Sequence, residues 1–140
     1  MYGSYRSRKV SVRIKMKYIF ESYFSRYNSL SPFIKEKPDD SLFICVVIPS
    51  YNEPDLLSTL ISLKECTKPS CSTEVIVVLN SHENSPDGVF IQNEKNRKDI
   101  EDFAGKNNDR KINFRYISID NIKKSNAGVG FARKCGMDEA

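Results

Sequence analysis

The chain has 140 residues, of which 39% are hydrophobic and 29% charged, a size and composition typical of a globular, soluble protein. No apolar run approaches the roughly 18 residues that span a membrane, and the N-terminus lacks the pattern of a secretory signal. These features exclude an integral membrane protein and predict a cytoplasmic location.

The net charge of +4 is unevenly distributed. Residues 1–17 contain six cations and no acid, so the remainder of the chain has a net charge of −2. A basic segment of this kind favours a solvated tail, and peripheral contact of residues 6–17 with the inner face of a membrane is the alternative. Nucleic acid is not an expected partner, because the segment lacks a recognised nucleic-acid-binding fold and the rest of the chain is slightly acidic.

Residues 1–40 are predicted to form a basic N-terminal arm. Every second residue between positions 10 and 16 is apolar, which is a strand-like period. From residue 16 onward the apolar residues are spaced three or four apart, which favours an amphipathic helix near residues 16–28. Residues 31–40 are polar and contain two prolines, so they are predicted to be a connector.

Residues 41–140 alternate between strand and helix patterns. Residues 43–48, 75–79 and 112–119 are predicted strands, and the first two are apolar on both faces, as in a buried parallel sheet. Three helices are predicted: the first opens at Pro54, the second ends near Gly105, and the third starts near Gly128. The sequence therefore predicts an α/β fold: a Rossmann-like parallel sheet flanked by helices, with an N-terminal helical arm.

Three polar loops follow the predicted strands, at residues 49–53, 80–84 and 120–127. Ligands of open parallel sheets collect beyond the carboxyl ends of the strands, so these loops are the candidate site. In the third loop, Asn126 is a predicted helix cap, and Gly128 and Gly130 lie in the first helical turn, where two glycines cost about 2 kcal/mol of helix propensity. Free amides at this helix start suit a phosphate, with Arg133 adding charge, and a plain junction with packing glycines is the alternative.

Three segments carry a recognisable pattern: residues 46–53 read VVIPSYNE, residues 74–78 read EVIVV, and residues 126–134 read NAGVGFARK. Together they resemble family 2 glycosyltransferases of the GT-A fold, in the order of that family's first strand and loop, its second strand, and its N-x-G-x-(G)-x-A-R-N segment. The resemblance covers residues 43–140. It implies the N-terminal, nucleotide-sugar-binding half of an enzyme that transfers a sugar from a nucleotide-diphosphate donor to an acceptor hydroxyl. The nucleotide-binding residues that it predicts are Pro49, Tyr51, Glu53, Asn80, Asn126, Gly128 and Arg133.

The sequence also departs from this family. Where many members have Asp-Asp-Gly-Ser after the second strand, residues 79–82 read LNSH, so Asn80 offers a base edge hydrogen bonds without charge. His82, the only histidine, is interpreted as an exposed loop residue. The family's D-x-D metal motif and its carboxylate base lie beyond the matched segment, so no catalytic or metal-ligating residue is predicted within this chain. The complete enzyme is expected to need Mn²⁺ or Mg²⁺, and this chain alone is expected to be inactive.

Other interpretations stay open beside this one. The chain could be a non-catalytic remnant or an interaction module with an α/β fold. A receiver domain is disfavoured because no acidic pair follows the first strand, and a flavodoxin-like domain because no Ser/Thr/Gly-rich phosphate loop is present there. As an incomplete sheet, the fold is expected to self-associate through an exposed edge.

Overall fold

The structure, a computed structural model, describes residues 4–27, 30 and 32–140, which belong to two compact units, Met1–Ser31 and Pro32–Ala140. The first unit is a continuous helix, α1 (Ser4–Tyr27), whose side chains are described from residue 15 onward. Residues 10–16 are therefore helical although their apolar residues have a strand-like period, and the helix begins well before residue 16, where it was predicted to start. A helix satisfies its own backbone hydrogen bonds, whereas a strand needs a neighbouring strand to pair with.

The second unit is an α/β layer structure built on a parallel sheet, as the sequence predicts. Its elements are β1 (Leu42–Ser50), α2 (Leu56–Glu65), β2 (Ser72–His82), α3 (Asp87–Asn107), β3 (Ile112–Ile122) and α4 (Val129–Glu139). The strand order is β1-β2-β3, and both pairings are parallel. Because parallel neighbours need crossover connections, α2 and α3 each link two adjacent strands.

Two strands extend further than their apolar runs suggest. β2 continues through Asn80 to His82 and β3 continues to Ile122, with His82 opposite Ile122 after a register shift. The shift accompanies a left-handed backbone conformation at Asn121, whose φ is 57°. As a result, the first polar residues after the second apolar run belong to the strand and have fixed positions.

Two helix starts differ from the prediction. α2 begins at Leu56 and not at Pro54, because the turn before it is closed by a hydrogen bond from the Asp55 amide to Glu53 Oε1 at 3.0 Å. α4 begins at Val129 with Gly128 as its N-cap, so Asn126 does not cap it. The Asn126 amide instead donates to the Lys123 carbonyl at 2.8 Å, within a turn that precedes the helix.

The sheet has a hydrophobic core on each face, because successive residues of each strand point to opposite faces. The core on one face is covered by α2 and α3, and its buried members are Leu56, Leu60, Val75, Val77, Leu79, Ile100, Ile112 and Phe114. The core on the other face is covered by α4, and its buried members are Ile76, Val78, Ile117, Ile119, Ile122, Ala132 and Cys135.

α4 returns from the end of β3 and packs against β1 and β2. Gly136 makes this approach close: a Cβ atom built on it would lie 2.3 Å from Val47 Cγ1 and 2.7 Å from Val78 Cγ2. The amides of Phe33 and Ile34 donate to the carboxylate of Glu139 at the other end of α4, at 3.0 and 2.8 Å. The predicted connector is thus hydrogen-bonded to α4 through Phe33 and Ile34.

The outer edges of the sheet are open in the described part of the chain, because β1 and β3 each pair only with β2 there. On β1, the side chain of Phe43 is 85% exposed. α2 and α3 cover one face of the sheet, and α4 covers the other face against β1 and β2. In open α/β sheets, ligands bind outside the carboxyl ends of the strands.

Candidate functional site

A pocket of about 540 Å³ opens beyond the carboxyl ends of β1 and β2, against the start of α4. Its volume falls within the range of roughly 300–1,000 Å³ that is usual for small-molecule sites. The lining residues are Pro49, Tyr51, Asn80, His82, Lys124, Ala127, Gly128 and Val129. Each of the three polar loops or strand ends that the sequence indicates contributes to this lining.

One wall of the pocket is an aromatic pair. The rings of Tyr51 and His82 are nearly parallel, with an interplanar angle of 12° and centroids 6.2 Å apart. Tyr51 is 44% exposed, so its ring is accessible to solvent. Ser85 supports both members: its Oγ accepts a hydrogen bond from the His82 amide at 2.9 Å and lies 3.4 Å from the Tyr51 hydroxyl.

The hydrogen bonding of His82 defines its tautomer. The Asn84 amide donates to His82 Nδ1 at 3.2 Å, so in the neutral ring the proton is on Nε2. His82 lies at the end of β2 and is partly buried, which corrects its interpretation as an exposed loop residue. It therefore brings both a ring face and an N–H donor to the pocket region.

Amide side chains of α3 hold the loop that carries Tyr51. Asn93 Nδ2 donates to the Asn80 carbonyl at 2.9 Å, while Asn93 Oδ1 accepts from the Asn52 amide at 3.2 Å. Asn96 Nδ2 donates to the Glu53 carbonyl at 2.7 Å. The φ of Asn52 is 51°, in the left-handed region that asparagine adopts more readily than most other non-glycine residues. Both α3 asparagines are buried, so their hydrogen bonds form away from competing water.

Asn80 fastens the ends of β1 and β2 together. Its Nδ2 donates to the Ser50 carbonyl at 2.8 Å, and its side chain is 6% exposed. The amide group that the sequence suggests for a base edge is therefore already engaged on its nitrogen side. Its main contribution to the pocket is to position the wall that Pro49 and Tyr51 form.

The opposite wall is the segment between β3 and α4. The Lys124 amide donates to Glu83 Oε1 at 3.2 Å, and Ser81 Oγ donates to Asp120 Oδ1 at 2.8 Å, which ties this segment to the end of β2. None of the ion pairs within the described part of the chain involves the Lys124 ammonium group. Lys124 is also the only lining residue with a full charge, and that charge is positive.

Gly128 gives this wall its backbone shape. Its φ of 150° and ψ of 171° belong to a region that is essentially restricted to glycine, although a Cβ atom there would meet no atom within 4 Å. The glycine is thus required by the backbone and not by a lack of space. As the N-cap, Gly128 receives the first helical hydrogen bond, from the Ala132 amide at 3.1 Å, and precedes the first-turn amides of α4, which lack partners within the helix.

Four of the seven nucleotide-binding residues predicted from the sequence line the pocket: Pro49, Tyr51, Asn80 and Gly128. The other three do not. Glu53 uses its carboxylate in the turn before α2, Asn126 is exposed in the turn before α4, and Arg133 is exposed on α4. The sequence reasoning missed four lining residues: His82, Lys124, Ala127 and Val129. His82 and Lys124 lie in loops already singled out but were given no binding role, and Ala127 and Val129 lie within the motif at residues 126–134 without a predicted role.

The described residues do not fit the divalent ion that the resemblance implies for a complete enzyme. The pocket lining includes no carboxylate, and the described ranges contain no group of three His, Cys, Asp or Glu side chains able to hold a metal.

Comparisons of the chain with protein-family models, with curated proteins and with solved structures gave no match. The function is therefore argued from the pocket and from the motifs of the chain itself.

Proposed function

We propose that the pocket binds the nucleotide of a nucleotide-diphosphate sugar, and that the chain is the nucleotide-sugar-binding portion of a family 2 glycosyltransferase. The observation that carries the proposal is the meeting of the Tyr51–His82 pair, Lys124 and the start of α4 around one pocket. They converge beyond the carboxyl ends of β1 and β2, where the motifs of the sequence suggest a nucleotide.

The aromatic wall supports recognition of a nucleobase. A base stacks on an exposed ring with a free energy of about 1–3 kcal/mol, and every base has a face that can do so. Tyr51 is partly exposed and held by Ser85 and by its anchored loop, so little conformational entropy is lost when a base packs on it. The Nε2–H group of His82 adds a hydrogen-bond donor beside this surface.

The opposite wall supports recognition of the diphosphate. Lys124 supplies a positive charge, and the first-turn amides of α4 supply donors at the positive end of the helix dipole. No carboxylate in the lining opposes an anionic ligand. The extended backbone at Gly128 lets a ligand approach without meeting a side chain at that position.

The proposed reaction transfers the sugar to an acceptor hydroxyl. The acceptor oxygen forms a bond to the anomeric carbon, the bond from that carbon to the diphosphate oxygen breaks, and a base removes the acceptor proton. Lys124 and the α4 amides would stabilise the charge that grows on the departing diphosphate. The base would come from residues other than those that line this pocket.

A second candidate, a nucleotide-binding module without catalysis, is favoured by one observation: none of the lining residues is a carboxylate. Both candidates require nucleotide binding, so they are tested together first and are then separated by a transfer assay on the binding-competent protein.

The test is calorimetric titration of the chain with UDP and with GDP, with and without Mn²⁺. Tyr51→Ala should weaken binding about 5- to 100-fold, while Tyr51→Phe, which keeps the ring, should retain most of it. Lys124→Ala should weaken binding about 10- to 100-fold through loss of a charge-assisted hydrogen bond, and Lys123→Ala is the matched control outside the pocket.

Each outcome is decisive for the pocket. Binding that falls in Lys124→Ala and not in Lys123→Ala supports the proposed diphosphate contact. If the folded chain binds neither nucleotide, or if both lysine variants behave alike, the proposal is wrong.

A further inference from the structure

α1 carries a large excess of positive charge. Its cations are Arg6, Arg8, Lys9, Arg13, Lys15, Lys17 and Arg26, against Glu21 as its only acid, so its net charge is +6. Six of the seven cations lie in residues 4–17. The ion pair between Lys17 and Glu21, at 3.7 Å, is solvent-exposed and therefore weak.

The second half of α1 presents an apolar and aromatic stripe. Its members are Met16, the adjacent pair Ile19 and Phe20, Tyr23 and Tyr27, with exposed fractions of 47%, 49%, 51%, 36% and 56%. From one helical turn to the next they recur at spacings of three or four residues. Residues at this spacing lie on one side of a helix. The neighbouring rings contact one another along it: the Tyr23 and Tyr27 centroids are 5.1 Å apart, and those of Tyr23 and Phe24 are 5.3 Å apart.

Lys15 and Lys17 lie on opposite flanks of this stripe, since each residue turns a helix by about 100°. A lysine beside an apolar surface can lay its methylene groups along that surface and extend its ammonium group to a charged partner. The stripe and the lysines beside it thus suit a partner surface that has an apolar layer covered by a layer of anionic groups.

We infer that α1 binds the surface of an anionic lipid bilayer, lying in the plane of the headgroups with the stripe of residues 16–27 turned inward. This inference does not depend on the nucleotide pocket. The helix has 24 residues and is about 36 Å long, but no helix in the described residues is apolar enough to cross a bilayer. Tyrosine and phenylalanine are favoured at membrane interfaces, and headgroup phosphates are partners for the surrounding cations.

A lipid surface fits these features better than nucleic acid does. Cations alone serve a phosphate backbone, but Met16 and Ile19 have no role in base recognition, whereas they can enter the acyl region of a bilayer. The rings of Tyr23, Phe24 and Tyr27 contact one another and so enlarge the same apolar surface.

The test is co-sedimentation of the whole chain with vesicles of phosphatidylcholine alone and of phosphatidylcholine with phosphatidylglycerol. We expect binding to the anionic vesicles only, decreasing as salt is added. The double variant Lys15→Gln/Lys17→Gln should bind about 25-fold more weakly, at about fivefold for each cation removed. Phe20→Ala/Tyr23→Ala should weaken binding at least about tenfold through loss of apolar burial.

The matched control is Lys95→Gln/Lys106→Gln, which removes the same charge from exposed positions of α3 and should leave vesicle binding unchanged. All substituted side chains are exposed, and circular dichroism verifies that each variant is folded. Equal loss in the control, equal binding to neutral vesicles, or unchanged binding by both α1 variants would overturn the inference. So would binding to duplex DNA in place of vesicles.

Discussion

Substitution of Gly136 by alanine tests the close packing of α4 on the sheet. The new Cβ atom would lie 2.3 Å from Val47 Cγ1 and 2.7 Å from Val78 Cγ2, far inside van der Waals contact. Neither neighbour is the end of a flexible side chain, because valine is stiff at χ1 and both residues lie in strands. Overpacking of this kind costs about 1–3 kcal/mol, and here we expect the upper end.

The gain in helix propensity offsets part of this loss. Glycine to alanine inside a helix contributes about 1 kcal/mol, so the net decrease in the free energy of unfolding should be about 2 kcal/mol. In urea unfolding followed by far-ultraviolet circular dichroism, with a slope of roughly 2 kcal/mol per molar, the midpoint should fall by about 1 M.

Gly105→Ala is the matched control, because a Cβ atom on this α3 residue meets nothing within 4 Å. It should raise stability by up to about 1 kcal/mol. In a Val47→Ala background, Gly136→Ala should be less destabilising, since the nearest clash is removed. If Gly136→Ala is as stable as the parent protein, or if the two glycine variants shift alike, the packing argument fails.

Three further outcomes follow from the geometry. Gly128→Ala should destabilise the chain by about 1–3 kcal/mol despite open space around it, because its backbone conformation excludes other residues; unchanged thermal unfolding would contradict this. Asn93→Ala should speed hydrogen exchange at the Asn52 amide, which loses its acceptor, and should weaken nucleotide binding without removing any lining residue. The pKa of Asp109 is lowered below its ordinary 3.8, first by the hydrogen bond from Lys64 and then by those from the backbone amides of Lys111 and Ile112. The Asp109 carboxylate therefore stabilises the fold above about pH 4, and this stabilisation is lost as the pH falls. In Lys64→Ala, an NMR titration should show the pKa of Asp109 rising toward the ordinary value, and no change would exclude the Lys64 contact.

The α/β architecture could be predicted because its strands are apolar on both faces. Val75, Val77 and Leu79 pack under α2 and α3 while Ile76 and Val78 pack under α4, and an uninterrupted apolar run is the direct signature of such a strand. The residues at which the strands end were harder to predict from the sequence. β2 extends to His82 only because Ile122 of β3 lies opposite, and that pairing depends on residues 40 positions away.

The N-terminal helix shows how a short pattern can mislead. Alternation over residues 10–16 fits a strand, but that pattern spans too few residues to outweigh the helical spacing that follows it. Secondary structure there is decided by whether a partner strand exists, which a local pattern does not report.

The sequence predicts the location of the pocket better than it predicts which residues line it. The rule that ligands bind at the carboxyl ends of parallel strands located the pocket, and the motifs identified Tyr51 and Gly128. Lys124 was missed because a lysine in a polar loop has no distinctive pattern, and its place in the pocket depends on the turn at residues 123–127. Glu53 and Arg133 do not line this pocket, because a motif position does not reveal which way a side chain is turned.

The central place of β2 also governs how the chain can fold. A complete helix connects β2 to each of its neighbouring strands, so residues that pair across two strands are far apart in sequence. For each pairing, the entropy of closing its crossover is lost before the pairing contributes free energy, which slows the folding of parallel sheets relative to hairpins. We expect folding on a millisecond-to-second scale. On the ribosome, β2 should lack one of its two neighbours until β3 emerges, so one edge of β2 stays unpaired while the residues between the two strands are synthesised.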